Sequence, residues 1–134
     1  MPATRFPLVY ADNLYMLSGM AEAPLREPTF LVLTALAETP LHGYAVIEDV
    51  LRISDGRVRL RAGTLYAVLD RLRADGLIEV EREEVVQSRL RRYYRLTALG
   101  ARRLTEEAAR LRHNADAAHV RLRRGGLLTD GGAA

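Results

Sequence analysis

Between Arg61 and Ile78 the chain changes its period. Leu65, Val68, Leu69 and Leu72 recur at helical spacing and predict a helix over Arg61–Ala74 with one apolar side, which has to enter a core. The opposite face is small and polar: Gly63, Ala67, Asp70 and Ala74, with Tyr66 on one flank and Thr64 and Arg71 on the other. Gly76 supplies the left-handed residue that stops a helix, and Leu77-Ile78-Glu79-Val80-Glu81 begins the alternation of a strand. A helix with a slim outer face followed at once by a basic hairpin has the geometry of a winged helix placed on DNA.

The remaining segments fit around that unit. Met1–Ala11 has no periodicity and reads as a loose arm. From Asp12 or Asn13, Leu14, Leu17 and Met20 or Ala21 line one face of a short helix that is marginal alone. Pro28 suits the first turn of a helix over Thr29–Glu38, which is apolar nearly all round and belongs at the centre of the core. Thr39-Pro40 breaks it, and a second helix over His42–Ile53 buries Val46, Ile47, Val50 and Leu51. Arg57, Arg59 and Arg61 alternate with Val58 and Leu60, which predicts a short strand ahead of the Arg61–Ala74 helix.

Leu77–Val85 and Leu90–Thr97 read as two strands joined near Val86–Arg89. A turn centred near Gln87 sets Glu79 opposite Arg95 and Glu83 opposite Arg91, with Arg82 and Arg92 together on the other face. Thr97 caps a last helix whose Leu104, Ala108, Leu111, Ala115, Ala118 and Leu122 follow at spacings of 4, 3, 4, 3 and 4, a heptad seam. A small winged domain cannot satisfy such a stripe alone, so the seam implies a homodimer, helped by Leu14 and Leu17 of the arm. The expected fold is mainly α with a small β-hairpin wing. Its divisions are an arm and short helix over 1–27, a winged-helix domain over 28–97, a dimerisation helix over 98–124 and a disordered tail over 125–134.

Charge distribution supports a nucleic-acid partner more than the net charge of +3 does. All 20 basic residues are arginine, and Arg57–Arg103 carries 12 of them against 6 acids, leaving the rest of the chain net acidic. The absence of cysteine excludes disulfides and thiolate chemistry and fits a reducing cytoplasm. No apolar run approaches the roughly 20 residues a bilayer crossing needs. No catalytic order of Ser, His and Asp, paired-carboxylate pocket or phosphate-cradling glycine loop stands out, so neither an enzyme nor a cofactor is expected. His113 and His119, six apart, do not share a helix face as a metal pair would, and His42 reads as a helix cap.

Leu41-His42-Gly43-Tyr44, Gly63-Thr64-Leu65-Tyr66, Leu72 with Gly76-Leu77-Ile78, and Arg92-Tyr93-Tyr94-Arg95-Leu96-Thr97 with Gly100 together resemble the PadR family of bacterial transcriptional regulators. The likeness covers about Phe30–Arg103. It implies a dimeric winged helix-turn-helix repressor that binds a palindromic operator in double-stranded DNA and often answers to a small aromatic effector. The family commonly has prolines where this chain has Ala62 and Ala67, and Gly or Pro at a wing tip that here reads Gln87-Ser88-Arg89-Leu90.

Candidate DNA contacts are Arg61, Thr64, Tyr66 and Arg71 on the helix and Arg89, Arg91 and Arg92 on the wing. Asp70 would be repelled by phosphates unless it accepts from a cytosine amine or orients Arg71, the latter being the preferred reading. Tyr15, Met16, Met20 and Phe30 are soft or flat side chains suited to an effector cavity between arm and terminal helix, although plain dimer core explains them as well. Two rival readings stay open: a winged dimer that binds protein instead of DNA, favoured by the glutamates of the first wing strand, and a ligand sensor.

Overall fold

A computed structural model describes residues 23–128. The arm helix with Leu14, Tyr15, Met16, Leu17 and Met20 lies outside the described residues, as does the end of the tail. Four helices and three strands follow in the order α1 (Glu27–Ala35), β1 (Leu41–His42), α2 (Gly43–Ile53), α3 (Ala62–Ala74), β2 (Ile78–Val86), β3 (Arg89–Leu96) and α4 (Ala98–Arg124). The strands form an antiparallel sheet in the order β1-β3-β2.

The core lies where α1, α2 and α3 meet the root of the hairpin. Leu33, Leu65, Leu69, Leu72, Val32, Val46 and Val50 are completely enclosed, each contributing about 1.5–3 kcal/mol by leaving water. Tyr94, Leu77 and Ile78 close it from the sheet side. The α1 helix is buried on several sides, as its unbroken apolar run implies, but it ends at Ala35 rather than Glu38. The chain has to turn there to bring Leu41 and His42 alongside Tyr94 and Tyr93. Pro40 favours that extended entry.

The sheet departs from expectation in two places. Arg57–Arg61 is not a strand: Leu60 is buried and Val58 half-buried while the arginines face outward, so the alternation is genuine, but no neighbouring strand bonds to it. In the hairpin, Glu79 does face Arg95, whereas a bulge between Val80 and Arg82 advances the register, so Glu83 faces Arg92 and Glu84 faces Arg91. Arg82 lies opposite Tyr93, on the other face from Arg92, and the expected arginine pair does not exist.

One junction fixes the angle between wing and terminal helix. Thr97 Oγ1 accepts from Gly100 N at 3.0 Å, capping α4, and donates to the Gly76 carbonyl at 2.7 Å. Gly76 itself has φ +76°. At Gly100 a Cβ would stand 1.9 Å from the Leu77 carbonyl oxygen, so only glycine lets α4 start this close to the entry of β2.

Candidate functional site

The α3 helix delivers the outward face that its periodicity requires. Leu65, Leu69 and Leu72 are buried, while Thr64, Tyr66, Ala67, Asp70 and Arg71 are exposed; Arg61 sits at the N-cap, also exposed. Tyr66 is half exposed because its ring lies across the start of α2, where a Cβ on Gly43 would come within 2.6 Å of its Oη. The Asp70 carboxylate makes no ion pair among the described residues, so the expected orientation of Arg71 by Asp70 does not occur.

A groove of about 840 Å³ separates this helix from the wing. His42, Tyr44, Tyr66 and Asp70 form one side, and Arg89, Leu90, Arg91 and Arg92 the other. Tyr44, 66% exposed, belongs to the motif Leu41-His42-Gly43-Tyr44 but is not among the candidate DNA contacts read from the sequence. Its signal was available: it stands in the first turn of α2, off the stripe of Val46, Ile47 and Val50 that enters the core.

The wing arginines divide into compensated and free. Arg95 pairs with Glu79 and Arg92 with Glu83, each at 2.8 Å. Arg82 bonds Glu81 at 2.9 Å and lies over the Tyr93 ring, 3.8 Å from its centroid, while Tyr93 donates to Glu84. Arg89 and Arg91 have no carboxylate within ion-pair reach among the described residues. The uncompensated charge of the hairpin therefore sits at its tip.

His42 is the cap that its position implies. Its Nδ1 accepts from Ala45 N at 3.4 Å, and its ring meets Tyr93 edge to face at 5.4 Å. Burial, reinforced by the Arg91 guanidinium, pushes its pKa below the ordinary 6.5 against the opposing pull of Glu48 and Glu84. A neutral imidazole is what the capping bond needs. No cluster of metal-ligating side chains occurs among the described residues, and no helix there is long and apolar enough to cross a membrane.

On α4, Leu104 is half-buried against the core. Ala108, Leu111, Ala115, Ala118 and Leu122, the rest of the predicted seam, are exposed. Arg103 and Glu107 are buried instead. Arg103 donates to the Ala23 carbonyl; Glu107 accepts from Leu25 N at 3.1 Å and from Arg110 at 2.6 Å. Together they fasten the segment before α1 to the terminal helix. Arg110, then burial in the opposite sense, then Leu25 N act on the Glu107 carboxyl, and the net effect holds its pKa below the usual carboxylate value. Phe30 packs half-buried against the core.

Two helices joined by a connection, the second with a solvent face and a hairpin at its side, define a winged helix-turn-helix protein. The chain belongs to the PadR-like family of transcriptional regulators, whose family model matches residues 32–106. It is 40% identical over 76 residues to the transcriptional regulator Rv3488 of Mycobacterium tuberculosis, an alignment spanning 57% of this chain and 67% of that one. Among solved structures, a PadR family transcriptional regulator from Eggerthella lenta is 30% identical with a TM-score of 0.59, covering 85% of this chain and 96% of its own. Bacillus subtilis PadR in complex with operator DNA shares the fold at 21% identity and a TM-score of 0.55, over 60% of this chain and 47% of that one. The family and these relatives are transcriptional regulators, not enzymes.

Proposed function

We propose that this regulator is a homodimeric repressor that binds a palindromic operator in double-stranded DNA and is released by a small aromatic effector or a stress signal. The observation that carries the DNA contact is the exposed face of α3, Thr64 to Arg71, set beside a wing whose free charge is at its tip. In this reading α3 enters the major groove, with Thr64 and Tyr66 at base edges or phosphates and Arg61 and Arg71 on the backbone. Arg89 and Arg91 reach the flanking backbone or minor groove, and Arg92 joins them by exchanging Glu83 for phosphate. The operator complex of the Bacillus subtilis protein supports this use of the fold.

Pairing along α4 supports the dimer. Ala108, Leu111, Ala115, Ala118 and Leu122 present an apolar, small-residue strip to solvent, and two copies joined there would address half-sites about one helical turn, or a multiple of it, apart. An effector would act by changing the angle between the two winged units, and Phe30, with Tyr15, Met16 and Met20 of the arm, remains our candidate lining. A winged dimer that binds protein through its apolar arm instead of DNA is the weaker alternative, because the wing glutamates that favour it, Glu79, Glu81 and Glu83, are already engaged by Arg95, Arg82 and Arg92.

A protection assay on DNA upstream of the protein's own gene tests the proposal. An inverted repeat should be protected by the wild type and lost with Tyr66→Ala. Affinity should fall about a thousandfold or more between 50 and 200 mM salt if six or more phosphates are contacted. Uniform or absent protection, or a flat salt response, would overturn it.

A further inference from the structure

The outermost stripe of α3 is Gly63, Ala67, Asp70 and Ala74, all exposed. Three of the four carry at most a methyl group, and open space surrounds the position a Cβ would take at Gly63. The helix backbone can therefore lie close to whatever faces this stripe, and Asp70 is its one side chain that hydrogen-bonds. The Asp70 carboxylate is unengaged. Arg73 stands three residues on, the spacing at which Asp49 holds Arg52 at 2.5 Å and Glu107 holds Arg110 at 2.6 Å. Asp70 nevertheless pairs with neither Arg73 nor any other cation among the described residues. On a face suited to a polyanion, a bare carboxylate costs affinity unless a donor meets it.

We infer that Asp70 is a specificity-determining residue, accepting a hydrogen bond from the N4 amine of a cytosine in the major groove. The inference rests on the DNA-binding reading above and adds which base the helix selects. An ionised carboxylate can only accept, so phosphates, the N7 and O6 of guanine and the O4 of thymine all repel it. The donors that remain in the major groove are the amines of cytosine and adenine. Adenine N6 lies between two acceptors, its own N7 and the O4 of the paired thymine, and both crowd a carboxylate oxygen. Cytosine N4 has an acceptor on one side alone, the O6 of its guanine. Cytosine is therefore the better partner. The small neighbours Ala67 and Ala74 leave room for the short aspartate stem to reach the base edge, while exposed Arg61 and Arg71 on the same helix offset the repulsion by the backbone.

The test uses the full chain and the duplex that the wild type protects upstream of its own gene. Each C·G pair of the inverted repeat is changed to T·A in turn, in both half-sites at once, which moves the donor off the pyrimidine. Wild type, Asp70→Ala and Asp70→Asn proteins are titrated against this set and against an unrelated duplex. At one cytosine the wild type should lose about five- to a hundredfold for each half-site, and Asp70→Ala should not distinguish the two pairs there. Asp70→Asn should move the preference at that position toward adenine. Asp70→Ala should bind the unrelated duplex at least as tightly as the wild type, with an unchanged salt slope, because a repulsive charge has gone and no phosphate contact with it. Discrimination kept by Asp70→Ala at every cytosine, or a loss by that variant equal on the repeat and the unrelated duplex, overturns the assignment while leaving the regulator reading intact. Failure of the wild type to bind any duplex overturns both. Asp70 is exposed, and unchanged melting temperatures check that the variants fold.

Discussion

Two glycines in this chain are small for different reasons, and substitution separates them. At Gly100 the obstructing atom is the Leu77 carbonyl oxygen, 1.9 Å from where a Cβ would stand, and backbone at a helix start cannot step aside. Gly100→Ala should cost about 3 kcal/mol or more by overpacking, visible as a lower midpoint in urea unfolding. At Gly43 the obstruction is the hydroxyl end of Tyr66, which can swing into solvent. Gly43→Ala should therefore change stability by less than about 1 kcal/mol while displacing Tyr66, so its effect should appear in duplex affinity and not in melting. His42 gives a pH signature. Its folded-state pKa lies below the unfolded value of 6.5, so the unfolded chain takes up the proton first as pH falls. The stability it contributes is complete above pH 6.5 and is lost as pH drops below that. His42→Asn keeps a capping acceptor without the titration, so its urea midpoint should decline less than that of the wild type between pH 7.5 and 5.5.

The helices were legible because each repeats an apolar position over several turns, and α3 in particular follows from Leu65, Leu69 and Leu72 alone. The hairpin was legible as an element but not in register. Glu79-Val80-Glu81-Arg82-Glu83-Glu84 offers a charge partner for the opposite arginines in either alignment, and nothing in that run marks the bulge after Val80. The β1 strand is two residues long, too short to show a period. Buried Arg103 and Glu107 look in sequence like an ordinary exposed pair four apart; only the backbone of Ala23–Leu25 explains their burial. In the candidate site, α3 was foreseen, while Tyr44 and Leu90 enter the groove only because folding sets the start of α2 opposite the wing tip. The wing ion pairs should matter little for folding. A double-mutant cycle on Arg92 and Glu83, both about half exposed, should return little or no coupling, so Glu83→Gln ought to leave melting unchanged while freeing Arg92 for an anion.

The length of α4 sets the argument for assembly. Its 27 residues extend about 40 Å, yet its buried residues are confined to the first turns, at Gly100, Arg103 and Glu107. From Ala108 to His119 every residue is exposed, although the helix continues unbroken to Arg124. A helical stretch that long, exposed throughout among the described residues, is marginal in water by itself, and this one presents Leu111, Ala115, Ala118 and Leu122 along one side. In the proposed dimer, pairing two copies along that strip would supply such a contact; the root of the helix is already braced by Arg103, Glu107 and Arg110, so the distal half of α4 would carry its share of the association. Leu111→Glu with Ala118→Glu places like charges across a symmetric seam. The variant should sediment as a monomer at micromolar concentration, lose helix content corresponding to the distal half of α4, and keep the core of the winged unit. Its duplex affinity should fall by far more than either winged unit's own contacts explain, because two half-sites held on one dimer bind with an effective concentration that separate copies lack. A variant that stays dimeric, or one that turns monomeric with undiminished affinity for the inverted repeat, would show that α4 does not set the spacing between the two α3 helices.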